Sequence, residues 1–181
     1  WLQGFDKAPE LVKACQTSWK KYLADKEIIQ LTYENYKEYV TLPEHIVHRY
    51  ERGQMPPALF SDLLRLEVLI KFGGTWMDAS ILCTGSNPEP VIMDCDLFMF
   101  QALQKGKYRF LGTSNWFITS CSNNKLLMIL RDVLYQYWKD YDCTLDYYMF
   151  HDFFYTIGNL YPEEIAAMPR KNRLLPLMLM Q

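Results

Sequence analysis

Between Pro56 and Gly73, apolar side chains recur every three or four residues, with Phe60, Leu63, Leu64, Leu66, Leu69 and Ile70 on one face. This is the period of a helix packed on a core. Pro56 and Pro57 suit its start, where a missing N–H does no harm. Gly73 and Gly74 suit its stop, because glycine takes positive φ without steric penalty. The same period runs from Pro9 through Leu11, Val12, Cys15, Trp19, Tyr22 and Leu23. It returns after Asn123, a capping residue type, through Leu126, Leu127, Leu130, Val133, Leu134, Tyr137 and Trp138. Shorter helices are expected over 33–40, capped by Thr32, and from Pro43 to Glu51, and a last one carries Tyr147, Phe150, His151 and Phe154.

Runs of β-branched and aromatic residues predict strands over 27–32, 75–82, 97–100, 108–111 and 116–120, with a turn-forming TGSNPEP segment after Leu82. Helices alternating with strands predict an α/β layered fold, its later strands partly antiparallel. No repeat, low-complexity tract or linker divides the 181 residues, so one domain over 1–181 is expected.

Composition narrows the function. The formal net charge is −2 and the basic residues are scattered, which removes the electrostatic footprint of a nucleic-acid binder. The five cysteines are odd in number and contain no C-x-x-C pair, which suggests neither a zinc site nor a full disulfide framework and suits a reducing cytoplasm. No run reaches the ~18 apolar residues of a membrane span. The Met- and Leu-rich residues 174–180 could touch a membrane surface peripherally, although ordinary core packing is the simpler account of them.

Chemistry concentrates in 61–80, SDLLRLEVLIKFGGTWMDAS. Side chains two apart on a strand share a face, so the expected strand would present Asp78 and Ser80 side by side. A carboxylate on an apolar strand is unfavourable unless it is paired, hydrogen-bonded or metal-bound. Asp78 is therefore either satisfied by backbone amides or a ligand to Mn²⁺ or Mg²⁺, hard cations that take oxygen donors.

Ser61, Asp62, Arg65, Gly73, Gly74, Trp76, Asp78 and Ser80 together form S-D-x-x-R, a helix, then G-G-x-W-x-D-x-S. This pattern resembles the donor-binding core of GT-A-type nucleotide-sugar glycosyltransferases, specifically the capsular polysaccharide synthesis family and its mannosyltransferase-like and toxin-like relatives. Further similarity lies in WLQGFDKAPELVKAC, in EIIQLT with Asn35, in NWFITS and in DYYMFH, so it spans most of the chain. One departure is that Asp78, Ala79 and Ser80 stand where the usual aspartate-x-aspartate signature would be. Serine adds no charge, so a metal would rely more on the pyrophosphate than on the protein.

The resemblance implies a GT-A-like, Rossmann-type mixed sheet flanked by helices and lacking its first strand. A GT-A domain opens with a buried strand, whereas this chain begins at Trp1 inside a family-like motif, so an incomplete catalytic domain is expected. It also implies transfer of a sugar from a nucleotide-diphosphate donor to a hydroxyl of a glycan, metal-assisted and with retention, in the cytoplasm or at the inner face of the membrane. A non-catalytic nucleotide-sugar or glycan-binding module is the alternative.

Several residues keep two readings. On spacing alone, Asp62 and Arg65 form a surface ion pair; the resemblance implies donor contacts, for which a planar guanidinium is suited. Gly73 and Gly74 stop a helix, or let the chain pass beneath a nucleotide. Trp1 is a frayed aromatic or, with Gln3 and Gly4, part of a loop against the donor base. Asn115 could bond a sugar hydroxyl. Asp146 is a helix cap and His151 a core histidine or a metal or phosphate ligand, and by the resemblance either one reaches toward the diphosphate or the incoming hydroxyl. His45 and His48 share a polar helix face with no evident role.

Overall fold

The structure is a computed structural model that describes residues 1–85, 90–101 and 112–171. The expected strand at 108–111 and the apolar residues 174–180 lie outside them.

Helices α1 (Glu10–Tyr22), α2 (Tyr36–Tyr39), α3 (Glu44–Glu51) and α4 (Pro57–Phe72) lead into strand β1 (Gly74–Met77). A short α5 (Pro90–Met93) precedes β2 (Leu97–Gln101) and β3 (Thr113–Ser120), and α6 (Lys125–Asp140), α7 (Met149–Leu160) and α8 (Pro162–Ala167) follow. α4 packs on α3, α6 and α7 and on the sheet. Phe60, Leu63, Leu66 and Leu69 of its apolar face are buried, together with Leu127, Leu130 and Trp138 of α6 and Phe150 and Phe154 of α7. α6 is capped by Asn124, whose side chain accepts from the N–H groups of Leu126 and Leu127, one residue later than expected.

Among the described residues the sheet has three strands in the order β1-β3-β2, both pairs antiparallel. Trp76, Ile118 and Met99 form one row across it. Mixed α/β architecture is thus as expected, but the described sheet is antiparallel rather than mixed.

The expected strand over 27–32 does not form. Among the described residues that stretch has isolated bonds and no ladder: Leu31 O accepts from the Trp1 amino group, Gln30 O from Asn35 Nδ2 and Gln30 Oε1 from Gln16 Nε2, and Ile28 and Ile29 are exposed. A strand needs a neighbouring ladder, which β-branched residues alone cannot supply. The helix expected over 33–40 shortens to α2, entered through a reciprocal Thr32–Asn35 hydrogen-bond pair. Leu11, expected on the buried face of α1, is 65 % exposed.

Candidate functional site

Asp62 and Arg65 lie one turn apart on α4, on its face toward β3, so they cannot be a surface pair. Both are buried, Arg65 to 4 % exposure and Asp62 to 6 %. Arg65 donates from one terminal nitrogen to the backbone oxygen of Asn115. Its other terminal nitrogen stands 3.3 Å from Asp62 Oδ1 and 3.3 Å from Asp78 Oδ1. Asn115 Nδ2 donates to Asp62 Oδ1 at 2.9 Å, so side chain and backbone of one β3 residue lock the helix to the strand.

β1 stops earlier than the sequence suggests, and the expected pairing of Asp78 with Ser80 on a strand face is overturned. The strand ends at Met77 and is partly exposed rather than buried. Asp78 N–H still donates to Trp116 O at 2.9 Å, and the chain then turns, with Ile81 N–H donating to Asp78 O at 3.0 Å. Ser80 sits exposed in that turn. The residue that shares Asp78's side is Trp76, whose indole N–H donates to Asp78 Oδ1 at 2.8 Å. The Arg65 guanidinium lies 5.2 Å from the Trp76 ring centroid, a cation–π contact. Trp76 therefore holds both an acidic and a basic member of the site. The W-x-D spacing was the available signal, because it places both side chains on one strand face.

One guanidinium between two carboxylates leaves this group with a net negative charge. Burial pushes the Asp62 carboxyl up to about 6, and the nearby Asp78 charge adds to that; Arg65 and the Asn115 amide act the other way without prevailing. Asp78 has a 33 % exposed side chain, and each of the network's bonds to its carboxylate uses Oδ1.

The network borders a cavity of about 1240 Å³. Asp62, Arg65, Asp78, Ser80 and Asn115 line it, as do Trp1, Gln3, Gly73 and Gly74 from other elements and His151 from α7. Gly4 and Asp146 do not. Asp146 Oδ1 accepts the Tyr148 N–H at 2.9 Å, a capping bond before α7, which starts at Met149 and not at Asp146. Gly73 is also needed for packing, since at φ +69° a Cβ there would lie 2.9 Å from Ser122 N and 3.0 Å from Ser120 O. Its bareness serves the neighbouring β3 end, while Gly74, at φ +87°, faces open space. Beyond Asp78, Trp19 Nε1 donates to Ile81 O at 2.7 Å and Ser18 Oγ accepts from Cys83 N at 2.9 Å. Those two bonds dock the turn on α1, a role not evident from the apolar spacing of Trp19.

A sequence model described as capsular polysaccharide synthesis protein matches residues 1–181. The chain belongs to this family. Membership ties the chain to the making of capsular polysaccharide. No curated protein and no solved structure matches the chain. All five cysteines are free thiols, and no helix among the described residues is long and apolar enough to cross a membrane.

Proposed function

We propose that this member of the capsular polysaccharide synthesis family transfers a sugar from a nucleotide-diphosphate donor to a hydroxyl of a glycan acceptor. The observation that carries the reading is the Arg65 guanidinium held between Asp62 and Asp78 on a cavity large enough for a nucleotide sugar. The Arg65 Nε is buried and forms no hydrogen bond among the described residues, which suits a group awaiting a ligand oxygen. The network fixes both carboxylates before a donor arrives, so little reorganisation is needed when charge develops.

In this reading Asp78 stabilises positive charge growing on the donor sugar, and Arg65 is drawn toward the diphosphate oxygens. Transfer proceeds with retention, by electrostatic stabilisation of an oxocarbenium-like state. His151, on the same cavity, takes the proton of the acceptor hydroxyl, while Asp146 holds the turn that precedes α7. Trp1 and Gln3 contact the nucleotide side of the donor.

The residues also bear on a metal. Among the described residues no three His, Cys, Asp or Glu side chains converge as a cation site. Asp78 offers one partly exposed carboxylate, with Ser80 in the following turn. That set fits a divalent cation that draws most of its oxygens from the diphosphate and water, as Mg²⁺ and Mn²⁺ sites on nucleotides do. When bound, such an ion neutralises the departing diphosphate.

A second reading, a binding module without turnover, is favoured by Ser80, uncharged and in an exposed turn, following Asp78 where a second carboxylate would strengthen a metal site. Thermal unfolding with a panel of nucleotide sugars, with and without Mn²⁺, followed by assay of donor hydrolysis, separates the two. Metal-dependent stabilisation with nucleotide release supports the transferase. Stabilisation with no turnover supports a nucleotide-sugar-binding module, and no stabilisation by any donor rejects the transferase and leaves only a glycan-binding module.

A further inference from the structure

Next to the cavity the chain presents aromatic surface that neither the core nor the donor network uses. Tyr147 lines the cavity and is 65 % exposed. The Tyr148 ring meets it edge-on, with centroids 5.2 Å apart, and also stands 5.8 Å from His151. Tyr141 and Leu145, earlier in the same segment, are exposed too.

This surface is held in place. Asp146 accepts the Tyr148 N–H, Tyr137 Oη donates to Cys143 O at 2.9 Å, and the Tyr137 and Tyr141 rings stack at 5.0 Å. Large apolar patches left in water mark interaction sites. Tyrosine is suited to such a surface because it offers rigid area with a polar edge at small entropic cost.

Charge decides the occupant. Residues 140–152, which carry these rings, contain Asp140, Asp142, Asp146 and Asp152 and neither lysine nor arginine, whereas Glu164 further on is paired with Lys125. That field repels anionic lipid headgroups and anionic polymers. A sugar chain without negative charge matches both properties: its C–H faces cover aromatic rings, and its hydroxyls or amines donate to carboxylates. We infer that Tyr147 and Tyr148 form a platform that stacks the rings of an uncharged or amine-bearing glycan where it enters the cavity. To call that glycan the acceptor rests on the transferase reading; the binding itself does not.

Saturation-transfer NMR and calorimetry on the whole chain test this with cellohexaose, maltohexaose, a chitosan hexamer and a galacturonate hexamer, and with co-sedimentation on phosphatidylglycerol vesicles. At least one uncharged or amine-bearing hexamer should bind, about tenfold more weakly to Tyr147→Ala and nearly unchanged to Tyr147→Phe, which keeps the ring. Tyr147 is exposed, so the variants should unfold at the native temperature. The inference is overturned if none of those three hexamers binds, if Tyr147→Ala binds as the native chain does, or if the galacturonate or the vesicles are preferred. Donor binding and turnover by the native chain, measured in parallel, separate the two claims. Absent donor binding with ring-dependent glycan binding intact removes only the transferase reading, and donor turnover without ring-dependent glycan binding removes only the platform.

Discussion

Asp62 is a buried carboxylate, and its chemistry is open to direct measurement. Its carboxyl, ordinarily near 3.8, is pushed up to about 6 by burial and by the neighbouring Asp78 charge. Between those two values the folded protein keeps a proton that the unfolded chain has already lost. Stability from this group is therefore fully present below about 3.8, falls as pH rises toward 6, and is level above. Thermal unfolding from pH 4 to 7 should show a loss across that window that disappears in Asp62→Asn, which keeps a hydrogen-bonding shape without the titration. An unchanged slope in the variant would assign the loss to another group. Trp76 makes the second case. Trp76→Phe keeps an apolar ring but removes the N–H that holds Asp78, a hydrogen bond to a charged group of roughly 1.5–3 kcal/mol. Turnover should fall tenfold or more, while the unfolding temperature drops by no more than about 3–12 °C. A full loss of stability with unaltered kinetics in the remaining folded protein would make Trp76 a packing residue only.

At the scale of elements, the site depends on how α4 is handed over to β1. Gly73 makes that passage against the end of β3, where a Cβ would meet backbone atoms of Ser120 and Ser122 that cannot give way. Gly73→Ala should destabilise by about 2–5 kcal/mol, combining a strained positive φ with overpacking. Gly74→Ala meets open space, so it should carry only the backbone term, about 1–3 kcal/mol. Urea unfolding of the two variants checks the order, and equal losses would show that the close approach to β3 has no energetic weight. The same handover explains what was legible in the sequence. α4 could be read from its apolar spacing and its proline and glycine ends, because a helix satisfies its own backbone. The run 27–32 reads as a strand yet finds no ladder among the described residues, because strand formation depends on a neighbour that local composition does not describe. Asp78 was visible as chemistry, but its place just beyond β1, with Ser80 in a turn and not on a strand face, follows from where the ladder with β3 ends. α8 gave no signal beyond Pro162 at its start.

For the whole molecule, the core and the cavity share their walls: α4 carries the largest apolar contribution on one side and Asp62 and Arg65 toward the cavity. Sequence spacing alone assigned that pair to the surface, since three-residue spacing does not tell which face of a helix is covered; the resemblance pointed to a site, and burial beneath β3 agrees with a constrained pair. Asp146 and His151 lie five residues apart yet differ in placement, because the chain turns between them before α7 begins. The proposal for the molecule is that this shared wall binds a nucleotide-diphosphate sugar through Asp78 with the help of a divalent cation. Calorimetric titration of nucleotide sugars into the native protein and Asp78→Asn, each with Mn²⁺ and with excess EDTA, measures that claim most directly. Donor binding to the native protein should weaken at least tenfold in EDTA and to a similar extent in Asp78→Asn, with no further loss when both changes are combined; native-strength binding by Asp78→Asn in EDTA would contradict it.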